Sequence, residues 1–198
     1  TGETSCDGGA NCPGRRFTDM PAAGHWAHAG IDFALKQGLF NGTSATTFEP
    51  DGSMTRAMLV TVLYRLDGQK EPTGTNPFTD VEPDSWYTEA VIWAVENEIV
   101  LGMGDGTFAP NDNITRQEMA TMLYRLAKAE KVEEDKLASF PDAASVADWA
   151  KDAMNWAVST EIVNGSTHDD KVNYLDPTAT ALRCQAAAVA CRYLALSK

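Results

Sequence analysis

Three arginines in matching surroundings, Arg56, Arg116 and Arg183, offer the clearest chemistry in this 198-residue chain. Each opens a segment with helical apolar spacing, so each guanidinium is expected beside the free backbone N–H groups and positive dipole end of a helix. That setting is poor for a structural cation and good for an anion, and the planar guanidinium fork suits a carboxylate. Asp19, Asp80 and Asp142 recur alongside, either to salt-bridge the arginines or to position them. Trp26, Trp86 and Trp149 have the area to stack on sugar faces, although an aromatic opening a helix beside an apolar stripe is usually core. Gly42, Gly102 and Gly165 each follow the first helix of a copy, where positive φ is expected, with close ligand approach as a second reading. Arg65, Arg125 and Arg192 recur late in helices and read as structural complements to the negative helix end.

These sets exist because the chain repeats itself. Phe17-Thr18-Asp19, Trp26, Phe48-Glu49-Pro50, Thr55-Arg56 and Leu63-Tyr64-Arg65-Leu66 return as Phe78-Thr79-Asp80, Trp86, Phe108-Ala109-Pro110, Thr115-Arg116 and Leu123-Tyr124-Arg125-Leu126. A looser third copy holds Phe140-Pro141-Asp142, Trp149, Leu175-Asp176-Pro177, Leu182-Arg183 and Arg192-Tyr193. Trp26 to Trp86 and Arg56 to Arg116 both span 60 positions, whereas Trp86 to Trp149 spans 63 and Arg116 to Arg183 spans 67, which places an insertion around His168-Asp169-Asp170. A fixed period of this size signals a repeat architecture. The parse is a cysteine-containing leader over 1–15 and repeats over 16–70, 77–131 and 138–198.

The middle copy shows the elements that must position the recurring residues. Trp86 to Glu98 has helical spacing in Ala90, Trp93, Ala94 and Val95, and the glycine-rich stretch Gly102 to Asp112 forms turns around an inward-pointing Phe108. A second helix opens at Thr115, where Thr115 and Glu118 form a capping box and Met119, Met122, Leu123 and Leu126 make the buried stripe. In the first copy His25 to Gln37 and Thr55 to Leu66 are the two helices, but Met58 stands where Glu118 should be and halves the box. Leu182 replaces the capping Thr in the third copy. The charged stretch Glu130 to Lys136 is read as a linker or the extension of a helix.

Net charge is −12, from 28 acidic and 16 basic residues, which argues against a nucleic-acid partner and leaves no polybasic patch for lipid. No apolar run approaches about 18 residues, so no membrane insertion is expected. Thr1-Gly2-Glu3 does not begin a signal peptide, and the chain is expected to be mature or a fragment. His25, His28 and His168 form no recurring set and are assigned surface roles; no metal or other cofactor is predicted, and the Asp105 turn lacks the calcium-loop pattern. Cys184 and Cys191 lie about 10.5 Å apart along one helix, too far to pair with each other. Both fall opposite the stripe Ala186, Val189, Ala190 and Tyr193, so the expectation is a strap in which Cys6 and Cys12 pair with Cys184 and Cys191.

The repeats resemble the S-layer homology domain in three tandem copies. The match rests on Phe-x-Asp at the start of each copy, the Trp opening helix one, Gly102-Met103-Gly104-Asp105-Gly106-Thr107-Phe108-Ala109-Pro110 and Ile114-Thr115-Arg116-Gln117-Glu118. The resemblance implies an all-α fold of three helix-loop-helix repeats, arranged as a pseudo-threefold prism around a shared central helical bundle. It implies a monomer secreted to the bacterial cell surface or cell wall. Grooves between neighbouring repeats would bind secondary cell wall polysaccharide, often ketal-pyruvylated, through the recurring Arg, Asp, Trp and Gly residues.

No enzyme is predicted, because an active site needs its groups confined to one place and every polar feature that stands out here occurs two or three times. Triplicated chemistry suits multivalent binding. Two other functions compete: binding of peptidoglycan-linked polyamine, which the acidic balance favours and the arginines oppose, and a structural or protein-interaction module with degenerate grooves. Arg116 is expected to mark the best-preserved site, since the middle copy has both the full capping box and the Gly-Asp-Gly-Thr loop.

Overall fold

The computed structural model describes residues 9, 11–169 and 171–196. It is an all-α repeat fold with six α-helices among the described residues: α1 (His28–Lys36), α2 (Arg56–Leu66), α3 (Thr88–Glu96), α4 (Arg116–Leu126), α5 (Lys151–Ser159) and α6 (Arg183–Leu196). The chain divides into two compact units that cut across the copies, one of residues 55–181 and one joining 1–54 with 182–198.

In the 55–181 unit, α2 packs on α3 and α4 on α5, so the second helix of one copy pairs with the first helix of the next. Aromatic pairs fix both contacts, Tyr64 on Trp93 with ring centroids 5.5 Å apart and Tyr124 on Trp156 at 5.7 Å. Trp93 is fully enclosed and its indole N–H donates to Asp67 Oδ2, so the one polar atom of a large apolar side chain is satisfied. Thr115 and Glu118 form the reciprocal capping box, while Thr55 retains only the bond from Met58 N, both as the sequence predicts.

Both first-helix starts read from the sequence lie too early, α1 beginning at His28 and not His25, and α3 at Thr88 and not Trp86. In α3, Thr88 N and Oγ1 bond back to Ser85 O and Glu82 O and hold Trp86 in a turn outside the helix. The stretch Glu130 to Lys136 does not extend α4, which ends at Leu126; Asn155 on α5 claims its backbone instead, donating to Val132 O and Glu134 O and accepting from Lys136 N. The insertion in the third copy is a short hairpin, β1 (Ser166–Thr167) antiparallel to β2 (Asn173–Tyr174), with His168 stacked on Tyr174.

In the other unit α6 lies on α1. The approach is close: a Cβ on Gly30 would meet the Ala188 Cα at 3.0 Å. With alanine at four of the seven positions 184–190, α6 is covered nearly all round over that stretch. This corrects the disulfide strap. Cys184 does not face away from the core; it is a buried thiol in no disulfide, pushed up to about 11 by burial, with Asp51 adding to the effect. The helical wheel misled because a helix of small residues buries its polar-side azimuth as well. The Cys12 thiol donates to Asp32 Oδ2 at 2.8 Å, Cys191 is half-buried, and Cys6 lies outside the described residues.

Candidate functional site

Each recurring arginine is built into a junction between its own helix and the loop of the next copy. Arg56 Nε donates to Phe108 O, Arg116 Nε to Leu175 O and Arg183 Nε to Phe48 O, all at 2.8 Å. The residues whose carbonyls accept these bonds also donate their N–H groups to the recurring aspartates. Asp80 accepts from Phe108 N and Ala109 N, Asp142 from Leu175 N and Asp176 N, and Asp19 from Phe48 N and Glu49 N, at 2.7 to 2.9 Å. One loop residue is therefore gripped from both sides, by a carboxylate on its N–H and by a guanidinium on its C=O. The next residue in each loop, Glu49, Ala109 or Asp176, sits at positive φ of 49 to 57°. This conformation costs a non-glycine residue about 1 kcal/mol or more, and the paired bonds to Asp hold it. The proline that follows in each copy disfavours helical backbone before it, which hid this turn from the sequence.

One sequence expectation falls here, and one of the two readings of the aspartates goes with it. The helix N-termini do not present free N–H groups to a ligand: Arg56 N and Ala57 N donate to Asp112 O and Pro110 O, Arg116 N and Gln117 N to Ala179 O and Pro177 O, and Arg183 N and Cys184 N to Gly52 O and Pro50 O. The next copy's turn occupies the position proposed for an anion. Nor do the aspartates form ion pairs with the arginines among the described residues; they brace the loop, and Asp142 and Asp19 act on Arg116 and Arg183 through space. Burial draws Arg116 and Arg183 below the usual arginine range, opposed by Asp176 and Asp142 in the first case and by Glu49 and Asp19 in the second. For Asp19 burial acts to raise the pKa, but the N–H groups of Phe48 and Glu49, with Arg183, outweigh it and hold the carboxyl below its ordinary value.

The three guanidiniums share the Nε anchor and differ at their terminal nitrogens. Arg56 Nη1 is paired with Glu118 Oε1 at 3.0 Å, over the Phe108 ring. Arg183 lies 4.7 Å from the Phe48 ring centroid and donates from Nη2 to Asn41 O. The terminal nitrogens of Arg116 have no hydrogen-bond partner among the described residues and still touch solvent, although the side chain as a whole is mostly buried. The position of Glu118 is held by Met58 in the first copy and Gln185 in the third, so the middle copy alone has a carboxylate there. Glu118 escaped notice in the sequence because its capping role explained it already.

Trp26, Trp86 and Trp149 are 55%, 64% and 58% exposed, against the expectation of core burial. Their place in the turn before each first helix, outside its apolar stripe, turns them to solvent. Gly102 and Gly165 have the positive φ expected of them, whereas Gly42 does not; there the constraint is space, since a Cβ would fall 2.3 Å from the Phe17 ring. Gly102 likewise abuts Phe78, in the wall of a cavity of about 420 Å³ bounded also by Val95, Val100 and Thr107. Beside it Leu101 and Met103 stand exposed, an apolar rim that the alternation with Gly102 and Gly104 could have signalled. His28, assigned to the surface from the sequence, is buried. Arg125 does act structurally, donating to Ile99 O.

The repeats have counterparts in known proteins. The S-layer homology domain matches at residues 16–57, 77–120 and 139–169, more than half of the chain. The chain belongs to the S-layer homology domain family. It is 34% identical over 176 residues to an endoglucanase of Bacillus sp. (strain KSM-635), covering 87% of this chain and 18% of that protein. It is 32% identical over 168 residues to an amylopullulanase of Thermoanaerobacterium thermosulfurigenes, covering 83% of this chain and 9% of the other. A third relative, the surface-layer 125 kDa protein of Lysinibacillus sphaericus, is 31% identical over 168 residues, with 85% of this chain and 14% of that protein covered. The chain thus spans less than a fifth of the length of these relatives. It is an anchoring-type module of the bacterial cell surface, and no helix among the described residues is long and apolar enough to cross a membrane.

Proposed function

We propose that this chain is a noncatalytic anchor that holds a surface protein on bacterial secondary cell wall polysaccharide, and that the Arg116 junction reads an anionic, ketal-pyruvylated sugar. The observation that carries this reading is the pair of solvent-touching Arg116 terminal nitrogens, without a hydrogen-bond partner among the described residues, on a guanidinium already fixed by its Nε bond to Leu175 O. A carboxylate meeting them would make charge-assisted hydrogen bonds without reordering the side chain. Exposed Trp26, Trp86 and Trp149 supply flat apolar faces for sugar rings at three equivalent positions. Asp19, Asp80 and Asp142 keep the loops in shape, and Gly42 and Gly102 leave room beside Phe17 and Phe78, as Gly165 does beside Asn173. The enzyme-named relatives suit an anchor, since a domain shared by glucan-degrading enzymes and a surface-layer protein is more readily a tether than a reaction centre.

The test is titration of the full chain with purified wall polysaccharide and with the same polymer stripped of its ketal pyruvate. The expected result is at least about tenfold weaker binding to the stripped polymer, equivalent to about 1.4 kcal/mol. Equal curves would remove the anionic reading and leave a neutral-sugar or protein-interaction module.

A further inference from the structure

One buried cluster stands outside the triplicated pattern. Cys12 leads into the short 3-10 turn Pro13–Arg16, and His28 and Asp32 sit one helical turn apart on α1, all three buried. The matching positions on the other first helices carry Thr88 and Ile92 or Lys151 and Asn155, so the repeat fold itself requires neither an imidazole nor a carboxylate here.

We propose that Cys12, His28 and Asp32 form a binding site for a zinc-class divalent cation. Their donor atoms converge: Cys12 Sγ lies 2.8 Å from Asp32 Oδ2 and 3.6 Å from His28 Nε2, and His28 Nε2 lies 3.3 Å from Asp32 Oδ2. A tetrahedral zinc with ordinary bond lengths requires separations of about 3.6 Å for sulfur to nitrogen or oxygen and about 3.4 Å for nitrogen to oxygen. Two of the three distances already fit. The third, from sulfur to oxygen, is shortened by the thiol hydrogen bond and opens when metal replaces that proton, which passes to solvent as the thiolate bonds the cation.

The atoms that would not touch metal are held as ligand-orienting groups require. His28 Nδ1 is 2.7 Å from Pro21 O, which fixes Nδ1 as the donor and leaves Nε2 for a metal. Asp32 Oδ1 accepts from Gly14 N at 2.7 Å, a contact open only to glycine because a Cβ there would fall 2.7 Å from the same oxygen. A tether between the leader and α1 would account for the Gly14 bond, as Asn155 ties down its own preceding segment, but not for a thiol and an imidazole meeting at the second oxygen. Sulfur, nitrogen and oxygen together favour zinc or cobalt over calcium and magnesium, which take oxygen alone.

The experiment uses the full chain, reduced and stripped of metal by chelator, titrated with cobalt(II) under anaerobic conditions. The expected result is one equivalent bound, with a sulfur-to-cobalt charge-transfer band that zinc abolishes and calcium or magnesium does not. Cys12→Ser should lose the band and bind zinc more than about tenfold more weakly, because changes to groups that merely orient ligands already cost that much. Zinc should also raise the Tm of the unsubstituted protein, a readout that does not depend on any variant folding. Absence of the sulfur band and of a zinc-induced Tm rise would show a hydrogen-bonded knot only, and Cys12 found in a disulfide in the secreted protein would also overturn the site.

Discussion

Arg56 and Arg116 occupy junctions of the same construction within one compact unit, with the same Nε bond of 2.8 Å to the next copy's loop. Their electrostatics nevertheless differ. Glu118 neutralises Arg56 at 3.0 Å, while Arg116 has acidic neighbours only through space and keeps its terminal nitrogens for solvent. Repetition therefore keeps the scaffold bond and leaves the outer end of the guanidinium to be set by a single neighbouring side chain. The comparison also reassigns parts. The Gly-Asp-Gly-Thr loop and Glu118, both from the middle copy, belong to the Arg56 junction, and Arg116 faces the loop of the third copy. Arg116 remains the best anion candidate, but because its terminal nitrogens lack a hydrogen-bond partner among the described residues and not for the quality of its own copy's motifs.

The largest expected effects come from the two tryptophans of the middle copy, which separate fold from surface. Trp93→Ala should destabilise by about 3 to 5 kcal/mol through the cavity it leaves. Trp86→Ala should change stability by less than about 0.5 kcal/mol and weaken polysaccharide binding by about 1 kcal/mol if its face stacks on sugar. Urea unfolding and a wall-polysaccharide titration of both variants test this, and a stability loss for Trp86→Ala comparable to that of Trp93→Ala would return Trp86 to the core.

The arginine comparison breaks if the two alanine variants behave alike. Arg56→Ala should cost about 2 to 3 kcal/mol in unfolding free energy, since it strands Glu118 and the Phe108 carbonyl in a partly buried place. Arg116→Ala should cost about 1 kcal/mol of stability and about 1.5 to 3 kcal/mol of binding. Glu118→Gln sharpens the point further. It should release Arg56 and raise affinity for the anionic polymer at that junction, detectable as an added binding equivalent in calorimetry.

Acid titration probes the brace on the loops. The folded Asp19 carboxyl lies below its unfolded value near 3.8, because N–H bonds and Arg183 outweigh burial. Its contribution to stability is therefore fully present above that unfolded value and is lost as pH falls through the folded one. Asp19→Asn should flatten the acid limb of the stability curve below about pH 4, leaving its slope near neutrality unchanged.

The smallest effect concerns Cys184. As a buried thiol it should resist iodoacetamide in the native protein at neutral pH and react after unfolding, as mass mapping would show. Detection of Cys184 in a disulfide-linked peptide would restore the strap.

The repeat, the two helices of each copy, the Thr115–Glu118 box and the inward loop residues are legible in the order of residues, because periodicity and capping are local and each residue carries its own signal. Phe108 is buried and Thr115 caps α4 as read from the spacing alone. Which parts work together is set by contacts between residues far apart in the chain. Helix two of each copy meets the next copy's loop, its first N–H groups are taken by that loop's carbonyls, and Glu118 reaches Arg56 across 62 positions. Backbone carbonyls have no side-chain identity and contacts at such separations leave no spacing pattern, so neither is written in the order of residues. The same holds for Cys12, His28 and Asp32: sequence placed the imidazole on the surface, and only the fold of the leader onto α1 brought the three donors together.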